Sequence, residues 1–130
     1  MVIDTSALVA LLGMEPEAAR IAQAIEADPV RLLSAGALLE SAIVIESRQG
    51  EFAARELDLL LAKAGVQVEA VTAEQAEVAR QAWRRFGKGR HAAGLNYGDC
   101  FSYALSRTSG EALLFKGGDF PLTDVAAVSY

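Results

Sequence analysis

With 130 residues and 52% hydrophobic side chains, the chain fits one domain (residues 1–130) with a full core, and this excludes a largely disordered protein. A single cysteine, Cys100, excludes an internal disulfide. No apolar run approaches the roughly 20 residues that cross a bilayer, and no signal-peptide pattern opens the sequence, so a cytoplasmic protein without membrane association is expected.

Met1-Val2-Ile3 predicts a short buried strand with Asp4 at its carboxyl end, followed by a helix over Thr5–Leu12 that Gly13 ends. Glu15–Glu26 places Ala18, Ala19, Ala22 and Ile25 on one helical face, and Asp28-Pro29 breaks that helix. Val30–Ser34 reads as a second strand, and Gly36–Arg48 as a helix that is apolar almost all round. Glu51–Ala64 forms a fourth helix and Val66–Val68 a third strand. Thr72-Ala73-Glu74-Gln75 has the form of a capping box opening a helix that runs to Phe86. A glycine-rich loop then leads to Asn96, the predicted cap of a helix over Tyr97–Arg107. Ala112–Phe115 is a fourth strand, and Asp124–Val128 reads as a last short one. This alternation implies an α/β fold: a central, mainly parallel twisted sheet of four to five strands, flanked by helices on both faces. Ligand sites in such sheets lie beyond the carboxyl ends of the strands, at a switch in strand order.

The formal net charge of −5 argues against a surface coated for nucleic acid, but the charge is unevenly distributed. From Arg80 to Asn96 there is no acid, and five of the chain's twelve Lys and Arg fall there. Arg85, Lys88 and Arg90 are candidate RNA contacts, against the plainer reading of a solvated helix end.

Four acids are candidates for a divalent-metal site, because Mg²⁺ takes carboxylates and water as ligands. Asp4 follows the first strand, where it would also serve as a helix N-cap. Glu40 has Gly36, Ala37, Ile43 and Val44 as its helical neighbours, none able to pair with its charge, so it either faces a cleft or lies at the helix edge. Asp99 stands three residues after Asn96, where capping and metal binding are both open. Asp119 follows a strand and two glycines, a place that also suits an ordinary turn aspartate.

Four segments in this order resemble the PIN-domain family, and within it the VapC toxins. These are Met1-Val2-Ile3-Asp4-Thr5-Ser6-Ala7-Leu8, Glu40 in its apolar helix, Leu95-Asn96-Tyr97-Gly98-Asp99-Cys100-Phe101, and Leu113-Leu114-Phe115-Lys116-Gly117-Gly118-Asp119-Phe120. The resemblance spans nearly the whole chain and implies a PIN-like fold. It also implies a metal-dependent endoribonuclease acting as the toxin of a type II toxin–antitoxin pair. Asp4, Glu40, Asp99 and Asp119 would be its catalytic metal ligands, Ser6 an accessory polar group, and Mg²⁺ the cofactor, with Mn²⁺ as substitute. A VapB-type antitoxin, an RNA substrate and a homodimer are implied in the same way. Gly118 departs from the family pattern, where a more polar residue often precedes the last aspartate.

By this resemblance, water would attack the phosphorus in line and leave 5′-phosphate ends. Chemistry by a histidine pair is excluded within one subunit, since His91 stands alone and reads as a loop residue. Cys100 reads as a small buried side chain. Trp83 and Phe86 read as core or subunit contacts rather than base-stacking platforms. Among rivals, a receiver-like phosphoacceptor domain would need an aspartate after the third strand, where Glu69 stands. An aspartate-dependent phosphatase would want a second Asp at the position of Ser6. A PIN-fold DNA nuclease and a non-catalytic binding scaffold remain alternatives.

Overall fold

Apolar residues in the strands alternate between two cores, and this alternation fixes the layers. In the computed structural model, which describes residues 1–130, Ile3 and Leu114 pack into one core with side chains of the first four helices. Val2 and Leu113, their immediate neighbours, pack on the opposite face with Ala82, Phe86, Cys100, Tyr103 and Leu105. Successive strand residues point to opposite sides, so two-residue strands suffice to tie both layers together.

The elements run β1 (Val2–Ile3), α1 (Thr5–Leu12), α2 (Ala18–Ala27), β2 (Leu32–Ser34), α3 (Ala35–Gln49), α4 (Glu51–Lys63), β3 (Gln67–Glu69), α5 (Ala73–Phe86), α6 (Tyr97–Ser109) and β4 (Leu113–Leu114). A 3₁₀ turn at Phe120–Leu122 follows. The sheet has the order β3-β2-β1-β4 and is parallel throughout. The chain steps outward from β1 to β3 and then returns to the other side of β1. The switch in strand order therefore lies between β1 and β4.

Besides shifts of one or two residues at other element ends, three differences from the sequence reading stand out. α2 begins at Ala18 rather than Glu15, because Pro16 disfavours a helical Glu15 and Met14 takes a left-handed φ of 50°. The strand expected from Val30 starts at Leu32, because Asp28 turns the chain by accepting from the Val30 N–H at 2.8 Å. Asp124–Val128 does not become a full strand. It makes a single parallel bridge, Leu113 to Ala127, at the open edge of β4. The sheet thus has four strands.

Two glycines let α3 and α6 approach closely. A Cβ on Gly36 would stand 2.6 Å from the Phe101 ring, and one on Gly98 would stand 2.2 Å from a Glu40 carboxylate oxygen. Each helix thus presents a bare backbone position to a side chain of the other. The loop before α6 is pinned at its base, with Lys88 N–H donating to the Leu95 carbonyl and Leu95 N–H to that of Phe86, both at 2.9 Å. Its glycines do not leave the Asn96 cap loose.

Candidate active site

Asp4 leaves β1 at the switch point, and its backbone N–H donates to the Leu114 carbonyl of β4 at 2.9 Å. It is only 3% exposed. Its Oδ2 caps α1 by accepting from Ser6 N–H at 2.9 Å and from the Ser6 hydroxyl at 2.6 Å. The Ser6 hydroxyl in turn accepts from the Lys116 N–H just past β4, at 2.9 Å. Oδ1 of Asp4 is buried without any hydrogen-bond partner. One oxygen therefore caps the helix and the other is uncommitted, so the two roles open in the sequence coexist. A buried carboxylate oxygen with no donor is costly unless a cation or ligand completes it.

Asp99 divides its oxygens in the same way. A reciprocal capping box with Asn96 takes Oδ2, which accepts from Asn96 N–H at 2.8 Å, while Asn96 Oδ1 accepts from Asp99 N–H at 2.9 Å. Burial pushes the Asp99 pKa up to about 6, and repulsion from Asp4, Asp119 and Glu40 adds to this against the Asn96 hydrogen bond.

Glu40 faces the cleft rather than the helix edge. Its Oε2 accepts from the Thr5 hydroxyl at 3.0 Å, and Thr5 accepts from the buried Ser41 hydroxyl at 3.2 Å. Burial raises the Glu40 pKa, the Thr5 hydrogen bond opposes this, and Asp4 adds to the rise. Thr5 was not singled out in the sequence. Its signal is a buried hydroxyl in the first turn after Asp4, which becomes legible only once α3 is known to pass beside α1.

These acids line one cavity of about 370 Å³, formed by Asp4, Thr5, Ser6 and Val9 of the first strand–helix unit, Glu15, Glu40, Val44 and Arg48, and Asn96, Asp99, Lys116 and Gly117. Asp119 is not in this wall. It is exposed, beyond Gly117 and Gly118, and it reaches the others only as a like charge acting on Asp99. No three acidic, His or Cys side chains stand as a ready-made coordination shell. Mg²⁺ keeps several waters and takes one or two carboxylates directly, so spaced acids around an orphaned Asp4 Oδ1 fit such an ion.

The candidate RNA contacts are not brought to this cavity. Arg85 pairs with Asp124 at 3.1 Å, Arg90 lies 4.2 Å over the Trp83 ring, and neither they nor Lys88 are in the wall. The cations that do line it are Arg48 and Lys116, which sequence reasoning missed. Lys116 Nζ pairs with Glu15 and, at 2.9 Å, with Glu17. His91 is occupied locally, its Nδ1 accepting from Ala93 N–H at 3.0 Å. Burial and the neighbouring Asp99 push the Cys100 thiol up to about 11, which leaves it protonated and poorly nucleophilic at neutral pH.

A parallel sheet with an acid-lined cavity at its switch point agrees with the comparisons to known proteins. The PIN domain family model matches residues 1–126, and the chain belongs to the PIN domain family. Within that family it groups with the VapC ribonucleases. It is 64% identical over 128 residues to a Ribonuclease VapC of Mycolicibacterium smegmatis, covering 98% of this chain and 99% of that one. It is 60% identical over 129 residues to Ribonuclease VapC30 of Mycobacterium tuberculosis, covering 99% and 98%. The crystal structure of Mycobacterium tuberculosis VapC20, described as a sarcin-ricin loop cleaving toxin, superposes with a TM-score of 0.80 at 25% identity over 98% of this chain and 97% of that one.

Proposed function

We propose that this chain is a metal-dependent endoribonuclease, the toxin of a type II toxin–antitoxin pair, with its active site in the cavity between β1, α3 and α6. The observation that carries this reading is the uncommitted, buried Oδ1 of Asp4, a residue that lines the same cavity as Glu40 and Asp99. Asp4, Glu40 and Asp99 would hold a divalent cation, Mg²⁺ or in its place Mn²⁺, with Asp119 joining from outside the wall. Such a cation supplies charge neutralisation on the phosphate and lowers the pKa of water.

The chain's own residues do the rest. Ser6, held by the Lys116 N–H, fixes the Asp4 carboxylate, and Thr5 and Asn96 do the same for Glu40 and Asp99. These bonds commit one oxygen of each carboxylate to the protein, hold the three groups in place, and spare the site reorganisation as charge develops on the phosphate. Glu40 and Asp99 take up protons more readily than ordinary carboxylates, so they reach full charge only above the usual range. Neither His91 nor Cys100 is placed to act as base or nucleophile.

The VapC relatives support a VapB-type antitoxin as partner and RNA as substrate. A homodimer is supported by exposed apolar side chains beside the cavity, Leu39 and Ile43 on α3 and Tyr97 on α6, which are 63%, 57% and 82% exposed. No helix is long and apolar enough to cross a membrane.

Total RNA incubated with the protein, with and without Mg²⁺, tests the central reading. Cleavage that leaves 5′-phosphate ends, is lost on chelation and is lost in folded Asp4→Asn and Asp99→Asn variants is expected. Chelator-resistant cleavage or 2′,3′-cyclic phosphate ends would refute it.

A further inference from the structure

One wall of the cavity carries a charge that holding a cation does not require. α3 contributes Glu40, Val44 and Arg48 to it, spaced four residues apart along one side of the helix. At 1.5 Å per residue, Arg48 stands about 12 Å along the axis from Glu40. The cavity's other cation, Lys116, is committed to Glu15 and Glu17. Arg48 makes no ion pair, although the cavity holds four acids. A cation in the last turn of a helix suits the helix dipole wherever it points. That effect does not call for a place in the wall of an acid-lined cavity.

An unpaired guanidinium in the wall of such a cavity, on a residue two helical turns along α3 from the metal-ligand candidate Glu40, suits a polyanion that reaches both. Its planar fork matches two phosphate oxygens. We infer that Arg48 binds a backbone phosphate of the RNA strand, removed from the scissile one along α3, and sets the strand's register in the cavity without reading a base. The inference rests on the ribonuclease reading. It assigns to Arg48 the phosphate-contact role that the Arg80–Asn96 segment suggested in sequence. It also explains how an acidic protein can hold RNA against a carboxylate cluster.

The test is fluorescence anisotropy of a labelled single-stranded oligoribonucleotide without added divalent ion, over a KCl series. Wild type is compared with Arg48→Ala, Arg48→Lys and, as a surface control on α4, Arg55→Ala. Arg48→Ala should weaken binding about tenfold and lower the salt slope by about one. Arg48→Lys should keep the slope with intermediate affinity, and Arg55→Ala should change neither. Arg48→Ala binding with wild-type affinity and slope would overturn the inference. Cleavage of the same oligonucleotide by wild type in Mg²⁺ is scored separately. If wild type fails to cleave, the nuclease reading falls, while the binding series still reports on Arg48.

Discussion

Replacing Gly98 with alanine would put a Cβ 2.2 Å from Glu40 Oε2, 2.3 Å from Oε1 and 2.4 Å from Cδ. Contacts this short cannot persist, so the carboxylate must retreat by about 1 Å to reach ordinary van der Waals distance. Glu40 is the flexible end of a long side chain, so the retreat costs the fold little. It forfeits the 3.0 Å bond from Thr5, worth about 1 kcal/mol. In return, alanine favours the first turn of α6 over glycine by up to about 1 kcal/mol. Stability should therefore change by less than about 1 kcal/mol in either direction. Activity should not be spared, because a misplacement of about 1 Å at a reacting centre costs on the order of a hundredfold in rate. Gly98→Ala is thus expected to melt within a few degrees of wild type while cleaving RNA about a hundredfold more slowly under single-turnover conditions. A Gly98→Ala protein that cleaves at the wild-type rate would show that the observed position of Glu40 has no part in catalysis.

Two further outcomes follow from the titrating groups. Asp99, at about 6 against an ordinary 3.8, has a pKa raised on folding. The metal-free fold is therefore favoured while Asp99 is protonated, and it loses that contribution as pH rises through this interval. A bound cation offsets the loss, so the gain in Tm on adding Mg²⁺ should be larger at about pH 7.5 than at about pH 5, as read by thermal unfolding. An equal gain at both would place the ion elsewhere. In the middle of α6, burial pushes the Tyr103 hydroxyl up to about 12, and its 2.6 Å bond to Asp124 adds to the rise. The stability this provides is complete below about pH 10 and is lost as pH climbs from there to about 12. Tyr103→Phe should lower Tm by about 3–5 °C at neutral pH and remove that alkaline component, and an unchanged alkaline melting profile would contradict it.

How much of the site could be read in advance depended on how local each cue was. Asp4 combined a strand end, a helix start and an acid within a few residues, and the structure gives it a separate oxygen for each role. Glu40 was legible because nothing one turn away could neutralise it, and its partner proved to be Thr5, 35 residues earlier in the chain. Lys116 and Arg48 could not be placed from sequence. Their positions depend on β4 pairing beside β1 and on α3 running along the cavity. The basic run from Arg80 was legible as composition but not as direction. Arg85 turns toward Asp124, 39 residues away, and Arg90 folds onto Trp83. The last predicted strand had the right apolar character. Only Leu113 offers it a pairing partner, so one bridge forms.

Crystals of the protein soaked in Mn²⁺, with diffraction recorded at the manganese absorption edge, address the metal centre itself. An anomalous peak in the cavity at about 2.0–2.3 Å from Asp4 Oδ1, abolished in Asp4→Asn crystals, is the predicted result. Protein that cleaves RNA in Mn²⁺ yet shows its only ordered manganese away from Asp4, Glu40 and Asp99 would contradict the assignment of these carboxylates.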